Sequence, residues 1–186
     1  MQSTSLTNQF LIAMPGLADP NFFHTVTYIC THNEDGAMGI VINRPAEITL
    51  GEIFQQMEIS SEDENLVKLP IFQGGPVQAD RGFVIHEPLQ NWEYSIQVCE
   101  EIGVATSRDI LQAIAHGSGP PHTLVALGYA GWAAGQLEQE IRDNAWLHAP
   151  ADSSIIFNIP IEKRWEAAVA LTGVKLDKLS SDVGHA

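Results

Sequence analysis

The chain has 186 residues, and its 9 basic and 23 acidic side chains give a formal net charge of −14. A hydrophobic content of 45% is too high for a disordered chain, and this length favours one domain. No apolar run reaches the roughly 18 to 20 residues of a membrane helix. The negative charge opposes contact with nucleic-acid phosphates and with anionic membranes. Composition and charge therefore predict a globular domain with no membrane association and no direct nucleic-acid contact.

The two cysteines, Cys30 and Cys99, are too few for a disulfide framework and do not form a CxxC pair. The first eight residues carry no basic side chain ahead of the apolar run at 10–14, so they do not resemble a secretory signal. These features predict a cytoplasmic protein with free thiols. We also expect residues 1–8 and 175–186 to be frayed, as chain ends often are.

The N-terminal third of the chain predicts three strands. Residues 10–13 form a short apolar run, and residues 25–31 alternate between apolar and threonine side chains. An Asp-Gly pair at 35–36 then precedes the apolar run at 38–42, which is the pattern of a β-hairpin.

The rest of the chain mixes helices and strands. Thr49 and Glu52 have the spacing of a capping box, and the apolar residues that follow at helical spacing predict a helix over 49–57. The other predicted strands are at 71–72, 83–85, 94–98, 123–127 and 155–157, and the other predicted helices begin at Ser107, near Leu137 and at Pro160. Because the early strands form hairpins rather than strict βαβ units, the pattern favours an α+β fold.

Residues 128–135 are rich in glycine and alanine and lie between a predicted strand and a predicted helix. This context suits a dinucleotide-binding loop, but the GxGxxG spacing is absent. A tight strand-to-helix turn explains the glycines equally well, and binding of a small anion at the helix start stays open. We therefore predict a turn here and no nucleotide cofactor.

The sequence offers no strong metal-binding or nucleophilic motif. The seven histidines do not pair at helical spacing, which argues against a metal site. Cys30 shares a strand face with apolar residues, and Cys99 precedes Glu100 and Glu101, whose charges oppose a thiolate. We therefore predict no metal, no cofactor and no catalytic residue.

Polar turns beside strong strands are the best candidates for a binding surface. Arg44 and Arg81 could hold a carboxylate or phosphate through paired hydrogen bonds, although internal pairing with Asp80 or another acid is the commoner outcome. Tyr129 and Trp132 could line a pocket, although a buried aromatic core is again commoner. The candidate binding residues are Asn43, Arg44, Gly74, Gly75, Asp80, Arg81, Tyr129 and Trp132.

A series of motifs lies in order along the chain. They are FLIAMPGLADPNF at 10–22, HNEDGAMGIVINRP at 32–45, GGPV at 74–77, DRGF at 80–83, and GYAGW to NAWL at 128–147. These motifs resemble the bacterial YqgE/AlgH family, and the resemblance runs from about residue 9 to the C-terminus. It implies a compact single-domain α+β fold in which helices surround a curled, mixed and partly barrel-like sheet. It also implies a cytosolic protein but no activity, although one branch is named for regulation of alginate synthesis.

Three functions from different classes are compatible with the sequence. We favour a non-catalytic module that binds a small anion or a protein partner and has an indirect regulatory role. The second is a hydrolase or transferase acting on a small anion, with the backbone N–H groups of Gly74 and Gly75 as oxyanion donors. The third is a direct transcriptional regulator, which the net charge opposes.

Overall fold

Within residues 5–15 and 22–174, the part of the chain that the computed structural model describes, ten strands form a sheet and six α-helices surround it. No helix in these residues is long and apolar enough to cross a membrane. The strands are β1 (Gln9–Ala13), β2 (Val26–Asn33), β3 (Gly36–Val41), β4 (Pro45–Thr49), β5 (Pro70–Gln73), β6 (Val77–Glu87), β7 (Ser95–Gln97), β8 (Gly103–Ala105), β9 (His122–Ala133) and β10 (Trp146–Pro150). The helices are α1 (Leu50–Gln56), α2 (Glu64–Val67), α3 (Arg108–Ala115), α4 (Gln136–Arg142), α5 (Ser153–Phe157) and α6 (Arg164–Leu171).

The main path of the sheet runs β10-β1-β2-β3-β9-β6-β8-β7, and all of these neighbours are antiparallel. Strand β9 is central because its first half pairs with β6 and its second half with β3. Strand β5 adds a parallel pairing to β9, and β4 pairs with β5. The sheet curls strongly into a half-barrel, which confirms the predicted single-domain α+β fold with a partly barrel-like sheet.

The apolar residues form three clusters on the two faces of the sheet. The main core cluster joins Phe10 and Tyr28 to residues of β3, β6 and β8 and to helices α5 and α6. The second cluster packs α1 and α3 against β5, β6 and β9. The third cluster, which we call the tryptophan cluster, centres on Trp132 and Trp146 and is closed by Leu137 of α4. Burial of this apolar surface is the dominant stabilising contribution.

Several local predictions are confirmed. The Thr49 N–H donates to Glu52 Oε2 over 2.7 Å and the Glu52 N–H donates to Thr49 Oγ1 over 3.3 Å, which is the predicted capping box of α1. Glu34 and Asp35 form the turn between β2 and β3, with Asn33 opposite Gly36, so the predicted hairpin is present. Helix α3 begins after Ser107 as predicted.

Other local predictions are wrong. Residues 128–133 continue strand β9 rather than forming a turn, and their glycines allow close approach of neighbouring backbones. The segment predicted as a strand at 155–157 belongs to α5, because the Asp152 side chain accepts the Ser154 N–H and starts a helix there. The sequence pattern does not predict strands β4, β8 and β10.

Residues 5–8 at the start of the described chain are held on β2. The Leu6 N–H donates to His32 Nδ1 over 2.8 Å, and the His32 N–H donates to Thr7 Oγ1 over 2.9 Å. Leu6 is buried in the tryptophan cluster. Residues 1–4 and 175–186, where fraying is also predicted, lie outside the described residues.

Candidate functional site

A groove with a volume of about 460 Å³ opens on the face of the sheet that carries the main core cluster. Its floor consists of apolar and aromatic side chains from four strands, and its rim carries Arg81 on one side and the segment 93–96 on the other. Helices α5 and α6 pack against other parts of the same cluster. The residues that line the groove are Met38, Gln78, Arg81, Phe83, Glu93, Tyr94, Ser95, Ile96, Val104, Thr106 and Tyr129.

The floor of the groove is an extension of the core. Phe83 and Val104 are buried in the main core cluster, and Met38 and Tyr129 pack against it. The rings of Phe83 and Tyr129 meet edge to face, with centroids 5.6 Å apart and planes at 70°. Such a floor presents an apolar and aromatic surface, which suits a ligand group of the same kind.

A bulge in β6 forms the first rim. The register of β6 against β9 shifts between Val77 and Gly82, so residues 78–81 stand opposite Gly128 alone. The bulge places the Arg81 guanidinium carbon 5.7 Å from the centroid of the Phe83 ring, and Arg81 Nη1 donates to Gln78 Oε1 over 3.2 Å. The DRG sequence thus forms a polar bulge within a strand and carries one cation to the edge of the groove.

The second rim is fixed by the start of α3. The Glu93 N–H donates to Asp109 Oδ2 over 2.9 Å, and the Tyr94 N–H donates to Ser107 Oγ over 3.1 Å. The Tyr94 carbonyl accepts the Thr106 N–H over 2.8 Å. Partial burial raises the pKa of Asp109, but the hydrogen bonds from the Ser107 hydroxyl and from backbone N–H groups outweigh it and lower this pKa below its ordinary value.

This backbone clamp leaves two apolar side chains in contact with solvent. The exposed fraction is 65% for Tyr94 and 39% for Ile96. Both belong to one face of the same short strand segment and line the groove. Exposed apolar side chains beside an apolar groove are typical of a binding surface.

The predicted residues Arg44 and Asn43 lie elsewhere. Asn43 Oδ1 accepts the Val26 N–H over 2.9 Å and its Nδ2 donates to the His24 carbonyl over 3.0 Å, so this side chain holds the start of β2. Arg44 Nη2 donates to the Phe23 carbonyl over 3.3 Å. Arg44 lines a separate pocket of about 320 Å³.

The predicted Gly74 and Gly75 allow two backbones to cross in direct contact. A Cβ on Gly74 would lie 2.3 Å from the Gly128 carbonyl oxygen, and one on Gly75 would lie 2.1 Å from the Tyr129 carbonyl carbon. The Gly74 N–H already donates to the Leu127 carbonyl over 2.7 Å. An oxyanion pair made from both N–H groups would therefore lack one of its donors.

The remaining predicted residues divide between different surfaces. Arg81 and Tyr129 both line the groove, whereas Asp80 lines a smaller pocket of about 150 Å³ between α1 and α3. Trp132 is buried, and its Nε1 donates to Glu140 Oε1 over 3.0 Å.

The groove residues Phe83, Glu93, Tyr94 and Ile96 are not among the site residues that the sequence predicts. The available signal was the apolar alternation of Tyr94, Ile96 and Val98 in a predicted strand that contains Ser95 and Gln97 between them.

Two features bear on catalysis in the described residues, namely the buried Cys30 thiol and the spacing of the side chains that could bind a metal ion. Burial raises the pKa of the Cys30 thiol to about 12, which opposes a nucleophilic thiolate. The Tyr28 hydroxyl donates to Asn8 Oδ1 over 2.7 Å, and burial, reinforced by the nearby Cys30 and Cys99, raises the pKa of Tyr28 above its ordinary value. Residues 5–15 and 22–174 contain no group of three or more His, Cys, Asp or Glu side chains that could hold a metal ion.

The fold and groove define a small mixed α/β protein built on a half-barrel sheet. A model of the AlgH-like family matches residues 10–177. The UPF0301 protein of Thioalkalivibrio sulfidiphilus is 60% identical over 184 residues, covering 99% of this chain and 98% of that protein. The solution structure of the AlgH protein from Pseudomonas aeruginosa has 49% identity and a TM-score of 0.80, with 97% and 96% of the chains covered. The chain therefore belongs to the AlgH-like family, as its motifs predict.

A more distant structure shows how far the fold extends. The protein DIP2367 from Corynebacterium diphtheriae has 18% identity to this chain and a TM-score of 0.70, with 90% of this chain and 87% of that chain covered. At this identity the match shows the fold alone.

Proposed function

We propose that this protein is a non-catalytic binding module and that the groove between Arg81 and Tyr94 is its binding site. The observation that carries the proposal is the Tyr94–Ile96 rim, where exposed apolar side chains stand on a backbone clamped to α3. A rigid apolar rim above an aromatic floor lowers the entropy lost on binding.

The lining of the groove favours binding over catalysis. In the part of the chain that the structure describes, the hydroxyls of Ser95 and Thr106 line the groove without a histidine or cysteine beside them in its walls. A nucleophile needs an adjacent base or a lowered pKa, and the carboxylate among the groove residues, Glu93, is exposed to solvent. The hydrolase or transferase alternative has less support, since the Gly74 N–H is already bonded to Leu127.

A regulatory role is part of the proposal and would be indirect. The net charge of −14 opposes contact with DNA phosphates. A module of this kind would act by capturing a partner or a small ligand. We place the protein in the cytoplasm because its two cysteines are too few for a disulfide framework.

The test is a screen of aromatic and charged fragments by amide chemical-shift mapping on the isotope-labelled full chain. We expect the shifts of binders to map to Tyr94, Ile96 and Tyr129. The Tyr94→Ala variant should lose them, whereas Leu171→Ala, which removes another exposed apolar side chain on α6, should keep them. Binding confined to the Arg44 pocket, or binding that survives Tyr94→Ala unchanged, would overturn the proposal.

A further inference from the structure

The strand beside the groove, β7, is the last strand of the sheet path and presents an open edge. Its three residues, Ser95, Ile96 and Gln97, are all exposed, and within the described residues it pairs with β8 alone. An open edge carries backbone N–H and C=O groups that can pair with another chain.

The hydrogen bonds of the neighbouring residues show which groups face outward. The Tyr94 carbonyl accepts the Thr106 N–H over 2.8 Å, and the Val98 N–H donates to the Ile102 carbonyl over 3.0 Å. Backbone groups alternate between the two sides of an antiparallel strand, so both groups of Ser95 and both groups of Gln97 point away from β8.

The side chains alternate in step with this edge. Tyr94 and Ile96 alternate with Val98, which is buried in the main core cluster, so these three side chains share the groove face of the strand, and Ser95 reaches the groove from between Tyr94 and Ile96. A strand added alongside β7 would therefore place every second side chain next to Tyr94 and Ile96, over the open side of the groove. Backbone pairing and an apolar anchor would act together, which is the usual way that an extended peptide binds a sheet edge.

The charges around β7 indicate the charge of the partner. Glu93, Glu100 and Glu101 flank the strand and are exposed, and residues 88–107 contain no lysine or arginine. A second copy of this chain fits poorly, because antiparallel pairing centred on Ile96 would place Glu93 of one copy opposite Cys99 of the other, at the end of the pairing that also carries Glu100 and Glu101 of that copy. An extended segment with basic residues has the complementary charge.

We infer that the partner is an extended basic peptide segment that adds a strand to β7 through the outward groups of Ser95 and Gln97 and anchors an apolar side chain in the groove. This inference rests on the proposed function, because it names the occupant of the same groove.

The test begins with selection of binders from a phage-displayed library of random dodecapeptides on the immobilised full chain. We expect selected peptides to be rich in Lys or Arg and to alternate apolar residues with polar ones. Single N-methylation along a selected peptide should weaken binding at least tenfold at alternate positions only, because only every second N–H faces β7. A scan that depends on side chains but shows no period of two would overturn the inference.

A matched pair of variants tests the edge from the protein side. Gln97→Pro removes an outward N–H that β8 does not use, so it should weaken binding at least tenfold, whereas Gln97→Ala loses the same side chain and should retain affinity. The peptide N-methyl scan on the unaltered chain decides the question if Gln97→Pro does not fold. A dimer in solution that Gln97→Pro dissociates would overturn the choice of partner.

These outcomes separate the inference from the proposed function. If selected peptides bind with no period in the scan but lose binding in Tyr94→Ala, the groove is a binding site and the strand pairing is wrong. If neither fragments nor peptides respond to Tyr94→Ala, both proposals fail.

Discussion

Strand β9 carries two aromatic side chains, Tyr129 and Trp132, that belong to two different regions of the molecule. They are three residues apart, so the alternation of a strand directs them to opposite faces of the sheet. Tyr129 lines the open groove, whereas Trp132 lies in the closed tryptophan cluster. The two regions contain similar aromatic residues and differ in what covers them.

The tryptophan cluster is closed because its polar atoms have partners. The Nε1 groups of Trp132 and Trp146 both donate to Glu140 Oε1, over 3.0 and 2.9 Å. His32 Nε2 lies 2.6 Å from Glu138 Oε1, while its Nδ1 accepts the Leu6 N–H. Because Nδ1 accepts, Nε2 carries the proton and donates to Glu138. The Glu138 and Glu140 carboxylates of α4 thus accept hydrogen bonds from the ring N–H groups of His32, Trp132 and Trp146.

The groove shows the opposite arrangement. Its backbone is held by Ser107 and Asp109, while Tyr94 and Ile96 remain exposed. The comparison teaches that aromatic content alone does not mark a binding site. In this molecule a fixed backbone with uncovered side chains distinguishes the groove, and a full set of partners distinguishes the core.

The largest change in the free energy of unfolding is expected for a substitution in the tryptophan cluster. Trp146→Ala removes a buried ring that packs edge to face on Phe22 and Trp132, so it should lower the free energy of unfolding by about 3–5 kcal/mol. Urea unfolding followed by circular dichroism measures this loss. A loss below about 1 kcal/mol would show that the cluster contributes little and that the comparison is wrong.

The next effect concerns the carboxylate that both indoles share. Glu140→Ala leaves two indole N–H groups without their acceptor and should cost about 2–4 kcal/mol. Glu140→Gln keeps a carbonyl oxygen at this position and should cost less than half as much. The same unfolding measurement compares the two variants, and equal losses would show that hydrogen bonding to Glu140 is not what stabilises the cluster.

Much of the fold could be predicted from local pattern. The β2–β3 hairpin, which turns at Glu34 and Asp35, and the capping box of Thr49 and Glu52 depend on residues close together in sequence, and both are present. The glycines at 128–133 predict a turn, and this prediction is wrong because these residues continue strand β9. Here Gly128 accommodates the Gly75 carbonyl oxygen, 2.3 Å from where its Cβ would be, and this close approach joins residues more than fifty positions apart.

The groove could be predicted only in fragments. The sequence identifies Arg81 and Tyr129 as candidate binding residues, and both line the groove. Arg81 and Tyr129 line the same groove because β6 pairs with β9 and bulges at 78–81. This pairing joins residues that are far apart in sequence. The sequence groups Trp132 with Tyr129 as a candidate for the same pocket, because a predicted turn gives no alternation of faces. Because β9 is a strand, Tyr129 and Trp132 lie on opposite faces of the sheet.

Asp109 connects the groove rim to α3, and its contribution to the free energy of unfolding should depend on pH. Its pKa is lowered in the folded protein, so its contribution to stability is complete above its unfolded pKa, near 4, and is lost as the pH falls through the folded value. Asp109→Asn should cost about 1 kcal/mol at pH 6, because the carboxylate is largely solvated. The cost should shrink at pH 3 or below.

Urea unfolding of both proteins at pH 6 and pH 3 measures this dependence, with Asp35→Asn in the exposed β2–β3 turn as the control. The control should show little difference between the two pH values. A cost for Asp109→Asn that is independent of pH would mean that the charge of Asp109 does not hold the rim.

The smallest expected effect on stability is that of Tyr94→Ala in the open region. Because this side chain is 65% exposed, its removal should change the free energy of unfolding by no more than about 0.5 kcal/mol while abolishing binding in the groove. Parallel urea unfolding and fragment titration measure the two effects. Comparison of Tyr94→Ala with Trp146→Ala then distinguishes a residue that acts in binding from one that acts in stability. A loss above about 1 kcal/mol would show that Tyr94 stabilises the fold. The groove and the tryptophan cluster would then not differ in the way that we propose.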